Sequence, residues 1–297
     1  MKLLLTGATG MLGSAFAAWP DMSAILVDRA QLRLADPMTI YRLVAQSGAD
    51  GLINCAAHVD AERGETDPDP VYASNAMLPG VLAIACRRAG IPLVHFSSTG
   101  CYGAWKNTPY SEEDAVAPTT VHHRSKIAGE MAVRDAGCEH LILRTGWLFG
   151  GLPTHKKNFV WRRLVEAATT PKLASDTAQF GNPTFVGDVV SQCLALLQLG
   201  VRGTFNCVAQ GTASRFDYVA RIVAASGLAC ELVPSGPFAR VAPVSFNEMA
   251  INYRLGLMGL DRMPAWTASV DRYVATLQAS PEWLELMRMP TATSTAR

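Results

Sequence analysis

Short apolar runs and longer amphipathic stretches alternate through the first half of the chain. KLLL runs into TGATGMLGSAFAAW, AILV is followed by MTIYRLVAQSG, and GLINCAA by VYASNAMLPGVLAIACRRAG. IPLVHFSS then precedes SKIAGEMAVRDAG, and HLILRT closes the series. A short run with almost no polar position predicts a strand buried on both faces. Apolar residues spaced three and four apart predict a helix with one face on a core. Their strict succession predicts βαβ units, hence an α/β fold on a doubly wound parallel sheet. Such sheets bind ligands beyond the carboxyl ends of their strands. Candidate chemistry is therefore expected just after LLL, LINCAA, LVHFSS and LILRT.

The pattern changes after Arg144. GWLFGGLPTHKKNFVWRRLVEA is rich in Gly, Trp and Lys, and a second loop-rich stretch runs from ELVPSGPFARVAP to about Trp266. Between them, NPTFVGDVVSQCLALLQLG and GTFNCV return to helix and strand. This predicts a nucleotide domain made of residues 1–146 and 186–228, and a smaller, discontinuous α/β lobe made of 147–185 and 229–290. Residues 291–297, small and polar, are expected to form a flexible tail.

Composition narrows the classes. Apolar residues make up 49% of 297 positions and charged residues 17%, enough to build a large core. A net charge of +1 gives no electrostatic footprint for a nucleic-acid polymer or an anionic membrane. No apolar run reaches the roughly 18 residues of a membrane span. The 7 cysteines are odd in number, scattered and without a CxxC, which predicts reduced thiols and a cytoplasmic protein. The 6 histidines are equally dispersed, and no metal site is expected.

LLLTGATGMLG places Gly7, Gly10 and Gly13 where a strand ends and a helix opens. A tight turn, close backbone approach to a pyrophosphate and helix–strand packing each favour glycine there. After the second apolar run, Asp28 could accept from an adenosine ribose hydroxyl and Arg29 could neutralise a 2′-phosphate. The cofactor therefore stays NADP or NAD. LVHFSSTGCYG delivers Ser97, Ser98 and Thr99 to the sheet edge, where a hydroxyl can donate to a substrate carbonyl. The segment TTVHHRSKIAGE sets His122 and Lys126 four apart, on one helix face.

These motifs, with NCAAHVDAERGE, LRTGWLFG, QFGNPTFVGDV, FARVAPVSF and MPAW, follow one another as in the extended short-chain dehydrogenase/reductases. The chain most resembles the dTDP-4-dehydrorhamnose reductase group, nearly end to end. That resemblance implies a Rossmann-type dinucleotide domain, a lobe for a nucleotide-activated sugar, and hydride transfer to a 4-keto sugar. It assigns the catalytic hydroxyl to Ser98 and the ribose-orienting lysine to Lys126. Cofactor contacts are implied for Gly7, Gly10, Met11, Leu12, Gly13, Asp28, Arg29, Arg33, Ala56, Ala57, Ser97 and Lys126. Arg33 stands where the group carries an acidic residue after its third strand, and with Arg29 it tilts the cofactor toward NADP. Substrate contacts are implied for His58, Ser98, Thr99, Tyr102, Trp147, Asn158, Gln179 and Thr184. Ala178 replaces an acid of the group's pattern. A homodimer is compatible with the resemblance.

The group's catalytic tyrosine is missing, and His122 stands in its place. A phenol has an ordinary pKa near 10 and imidazole near 6.5, so the positive field of Lys126 that makes a phenol a usable acid would keep an imidazole neutral. Three outcomes are consistent with that exchange. His122 relays the proton, another phenol (Tyr102 or Tyr110) replaces it, or reductase chemistry is lost. The last would leave a cofactor- or ligand-binding regulatory subunit, of the kind that partners methionine adenosyltransferase. An epimerase or dehydratase of the same superfamily is the further alternative.

Overall fold

A computed structural model describes residues 1–20 and 22–288. The expected tail, 291–297, lies outside the described residues. Six strands form one parallel sheet: β1 (Lys2–Thr6), β2 (Ser23–Val27), β3 (Gly51–Asn54), β4 (Leu93–Ser98), β5 (His140–Thr145) and β6 (Gly203–Asn206). Their order across the sheet is β6-β5-β4-β3-β1-β2. The chain leaves β1 toward β2 and then returns to the other side of β1 for β3, so the strand order reverses between β1 and β3. A crevice opens at that reversal, beyond the carboxyl ends.

Both faces of the sheet are covered, as near-continuous apolar strands require. On one face, Leu3, Leu5, Ile53, Phe96 and Leu143 pack against α1 (Met11–Ala17) through Phe16, and against the helix Val186–Gln198 through Val189 and Cys193. On the other, Leu4, Leu52 and Ile142 meet α2 (Pro37–Gln46) through Ile40 and Val44, and α3 (Leu78–Ala89) through Leu82 and Cys86. The sheet also carries a polar ladder. Thr6 Oγ1 donates to Asn54 Oδ1 at 2.6 Å, and Asn54 Nδ2 stands 3.2 Å from His95 Nδ1. His95 is fully buried, and its pKa is lowered to about 3 by that burial and by nearby Lys126.

The helix α4 (Val121–Asp135) carries His122 and Lys126. Thr120 caps it by accepting from His123 N, and Glu65 Oε1 accepts from Val121 N at 2.7 Å. Its far end is held by a buried fork, with Arg144 Nε and Nη2 donating to the two oxygens of Glu130 at 2.9 and 2.7 Å. Burial alone would raise the Glu130 pKa. The hydrogen bonds and charge of Arg144, together with Ser97 and Arg134, outweigh it, so its pKa lies below the usual carboxylate value.

A second core lies beyond Thr145. α5 (Phe159–Thr169), α6 (Val186–Gln198), α7 (Arg215–Ser226) and α8 (Trp266–Gln278) follow in the chain, and all but α6 build this lobe. Phe149, Leu164, Tyr218, Ile222, Tyr273 and Val274 fill its centre. Residues 186–228 were expected with the nucleotide domain, and α7 lies within them. Its apolar face, Tyr218 and Ile222, packs on α5 and α8 rather than on the sheet. Two short parallel pairs brace the lobe: Leu148–Phe149 with Thr184–Phe185 inside its first segment, and Lys172–Asp176 with Glu231–Ser235 between its two segments.

Candidate active site

The glycine turn sits at the reversal of strand order. Gly7 has φ +69°, and a Cβ there would stand 2.5 Å from the Cys55 carbonyl carbon at the end of β3. A Cβ on Gly13 would stand 2.1 Å from Gly7 O. No residue but glycine fits either place. Gly10 caps α1 without any side-chain bond, which leaves the first N–H groups of that helix, at Met11, Leu12 and Gly13, for an anionic ligand. The Leu12 side chain itself lies in the core, so its contribution is through the backbone. Ala56 N is turned inward onto Thr6 Oγ1 and Asn54 Oδ1, and Ala57 follows, half-buried, in the same loop.

Beyond β2, Asp28 caps the turn Arg29–Gln31, accepting from Gln31 N at 2.9 Å. Arg29 and Arg33 are exposed around it. Arg33 is a correction of place. It lies in the connection from β2 to α2, not after the third strand, because the turn that follows β2 runs straight into the Asp36 cap of α2.

At the end of β4, Ser98 Oγ accepts from Gly100 N at 3.3 Å. Ser97 Oγ and Thr99 Oγ1 are buried without partners. Lys126 Nζ donates to Phe96 O at 2.9 Å, two residues upstream of Ser98. Burial lowers the Lys126 pKa to about 8, against the opposing pull of Cys55 and Glu130. The His123 ring covers Gly100 so closely that a Cβ there would stand 2.1 Å from it. His122 lies beside it, the two rings meeting edge-on with centroids 5.1 Å apart. Burial, then His123 and Lys126, lower the His122 pKa to about 3, although the His58 carbonyl opposes them. His122 is therefore neutral at physiological pH.

Asn75 ties this region together and was not anticipated. It lies in a π-helical turn, Ala73–Met77, and is fully buried. Its Oδ1 accepts from His58 N at 2.8 Å, and its Nδ2 donates to His58 O and Ser125 Oγ. One amide thus binds the loop after β3 to the helix carrying His122 and Lys126. Nothing in VYASNAML marks it, since the π turn shows only in the backbone.

Several expected substrate contacts are structural instead. Tyr102 and Tyr110 are fully buried and stacked at 4.9 Å. The Tyr102 hydroxyl donates to Asn206 Oδ1 and accepts from Arg144 Nη1, so neither phenol is free to replace His122. Asn158 caps α5, and its Nδ2 donates to Leu152 O and Tyr273 OH, filling its bonding capacity inside the lobe. Thr184 Oγ1 donates to Asn182 O and accepts from Ala209 N. Thr99 is sealed beneath Gly146. Each of these polar groups has a partner or a cover from a distant segment, and no surface left for a ligand.

The lobe supplies the opposite wall. Trp147, at the crossover from β5, has φ +37°, a strained value for a residue with a side chain. Its Nε1 donates to Glu248 Oε2 at 2.7 Å, and the Arg215 guanidinium stacks over the ring at 3.5 Å. The other Glu248 oxygen lies 3.9 Å from His123 Nε2, which links this wall to α4. Gln179 donates to Ser245 O and accepts from Arg215 Nε. It lines a cavity of about 300 Å³ with Asp176, Arg240, Ser245 and Phe246. Of the basic residues near Trp147, Arg163 is paired with Glu166. Glu248 and Arg215 were missed in the sequence, where each stands alone.

A glycine turn at the strand reversal, a serine at the end of β4 and a buried helical lysine bonded to the same strand define an extended short-chain dehydrogenase/reductase on a Rossmann-type sheet. Comparison with known proteins places it further. The chain belongs to the family described as the RmlD substrate binding domain, whose model matches residues 1–279. It is 33% identical to the dTDP-4-dehydrorhamnose reductase of Mycobacterium tuberculosis over 94% of this chain and 93% of that protein. It superimposes on the dTDP-4-dehydrorhamnose reductase of Clostridium acetobutylicum with a TM-score of 0.88 at 28% identity, covering 94% of this chain and all (100%) of that one. The Bacillus anthracis dTDP-4-dehydrorhamnose reductase in complex with NADP shares the fold, with a TM-score of 0.87 at 24% identity over 93% of this chain and 99% of that one.

Proposed function

We propose that this chain is an NAD(P)H-dependent reductase of the keto group of a nucleotide-activated sugar, the chemistry named for its dTDP-4-dehydrorhamnose reductase relatives. The carrying observation is the double attachment of α4 to the end of β4, by Lys126 on Phe96 O and by the His123 ring over Gly100. It supports a site made of Ser98, His122 and Lys126 at one strand end. Arg29 and Arg33 favour a 2′-phosphate, hence NADPH. All 7 cysteines are unpaired, which supports a cytoplasmic setting.

When bound at the glycine turn, the dinucleotide supplies the hydride. Ser98 accepts from Gly100 N, so its own hydrogen is free to donate to the keto oxygen. Lys126 uses one donor on Phe96 O and keeps others for ribose hydroxyls. A neutral His122 is no proton reservoir, but it can be a relay. One ring nitrogen gives its hydrogen to the developing alkoxide while the other takes one up. Its Nδ1 is buried without a protein partner, so the second hydrogen has to reach it from a group or water brought against the ring with the ligand.

The rate should show no acid limb near pH 6.5, because His122 is held at about 3. It should fall above about pH 8 as Lys126 loses its proton. His122→Phe removes both nitrogens and should lower kcat for NADPH oxidation by about 10²- to 10⁴-fold, with His122→Tyr recovering part. An unchanged rate and pH profile in His122→Phe would refute the assignment. The neutral imidazole also favours a second reading, a binding subunit; binding of NADPH and sugar nucleotide with no net oxidation would establish it.

A further inference from the structure

The cavity of about 300 Å³ lined by Gln179 has one wall with few attachments. Residues 236–244 run without helix or strand from the end of Glu231–Ser235 to Ser245. Pro237, Phe238, Arg240, Ala242, Pro243 and Val244 border the cavity. The segment is exposed from 236 to 241, with Phe238 at 56% and Val241 at 65%. Both of its ends are secured. Glu231–Ser235 pairs with Lys172–Asp176, and Ser245 Oγ donates to Gly103 O at 2.6 Å. In between, only two hydrogen bonds join the segment to the rest of the described residues. Val241 N and Ala242 N both donate to Glu62 Oε2, at 2.8 and 3.1 Å.

Glu62 stands across the cleft, on the short helix Ala61–Thr66. That helix is held at both ends. Asp60 caps it by accepting from Arg63 N at 3.1 Å, and Glu65 Oε1 accepts from Val121 N, the first N–H of α4. One carboxylate therefore sets where the wall stands relative to the helix carrying His122 and Lys126. The amide of exposed Val241 could be satisfied by water as well as by protein. What Glu62 adds is position.

We propose that Glu62 is a positioning residue for the ligand: its carboxylate latches residues 236–244 over the cavity, and release of the latch opens the way in and out. The inference goes beyond hydride transfer, and rests on the sugar-nucleotide reading only for the identity of what passes. Two adjacent amides on one charged acceptor favour the closed wall. A single attachment still lets it open locally without disturbing either core.

Hydrogen exchange in the full chain reads the latch. Stopped-flow binding of dTDP-glucose, followed by tryptophan fluorescence without NADPH, reads the passage. Glu62→Ala should speed amide exchange across 236–244 by about tenfold or more, the scale of lost bonds to a charged acceptor, and leave β4 and α4 unchanged. Glu62→Gln, which keeps a carbonyl acceptor without the charge, should fall between. Release of dTDP-glucose from Glu62→Ala should be about tenfold faster than from the parent protein. Unchanged exchange across 236–244 overturns the latch, and faster exchange with an unchanged release rate overturns its control of the ligand. Glu62 is exposed, so neither replacement touches a core, and should Glu62→Ala fail to fold, Glu62→Gln decides by the same two measures. Failure of the parent protein to bind dTDP-glucose would sink the sugar-nucleotide reading, while exchange would still decide the latch.

Discussion

The two walls of the cleft are built from different materials. On the sheet side the functional groups are turns and strand ends. Gly7 and Gly13 leave room for backbone, and Ser98 and Lys126 are referred to the main chain at Gly100 and Phe96. On the lobe side the wall is made of side chains of Trp147, Gln179, Arg215 and Glu248, which meet only because distant segments fold together. The Trp147–Glu248 bond spans 101 residues. A wall made of backbone can accept any ligand that carries the right dinucleotide, whereas a wall made of side chains can be altered one residue at a time. On the proposed reading, cofactor binding is the general half of this protein and substrate recognition the particular half.

The sharpest way to break the sheet-side wall is Arg144→Met. It leaves the Glu130 carboxylate buried and without its fork, and should cost about 3–5 kcal/mol in chemical denaturation. A loss below about 1 kcal/mol would mean that the pair does not anchor α4. The lobe-side counterpart is Asn158→Ala, which removes a helix cap and two buried bonds. It should cost about 2–4 kcal/mol while leaving sugar-nucleotide affinity unchanged. Lost affinity with intact stability would return Asn158 to the binding site.

A further test is a pH dependence carried by the sheet side. His95 and His122 are neutral in the fold, with pKa values lowered to about 3 by burial, but take up protons in the unfolded chain below about 6.5. Stability should be full above that value and decline as pH falls toward 3. His95→Gln, which can still accept from Asn54, should flatten the decline relative to the parent protein. A parallel curve for the two proteins would assign the acid sensitivity elsewhere.

The strand runs, the glycine turn and the four-residue spacing of His122 and Lys126 were all legible in the sequence, for a common reason. Periodicity, left-handed backbone at Gly7 and one-face spacing on a helix are properties of a few adjacent residues, and they hold whatever packs beside them. The motif order was equally legible, and it carried the family. What tertiary structure alone decided was the direction in which each polar side chain is used. Tyr102, Asn158 and Thr184 looked like ligand contacts until Arg144, Tyr273 and Ala209 turned out to occupy their bonding atoms. Arg215, Glu248 and Asn75 had no local signal, because their meaning lies in partners from other parts of the chain. α7 changed sides for the same reason, since an amphipathic helix records that it has a core face but not which core receives it.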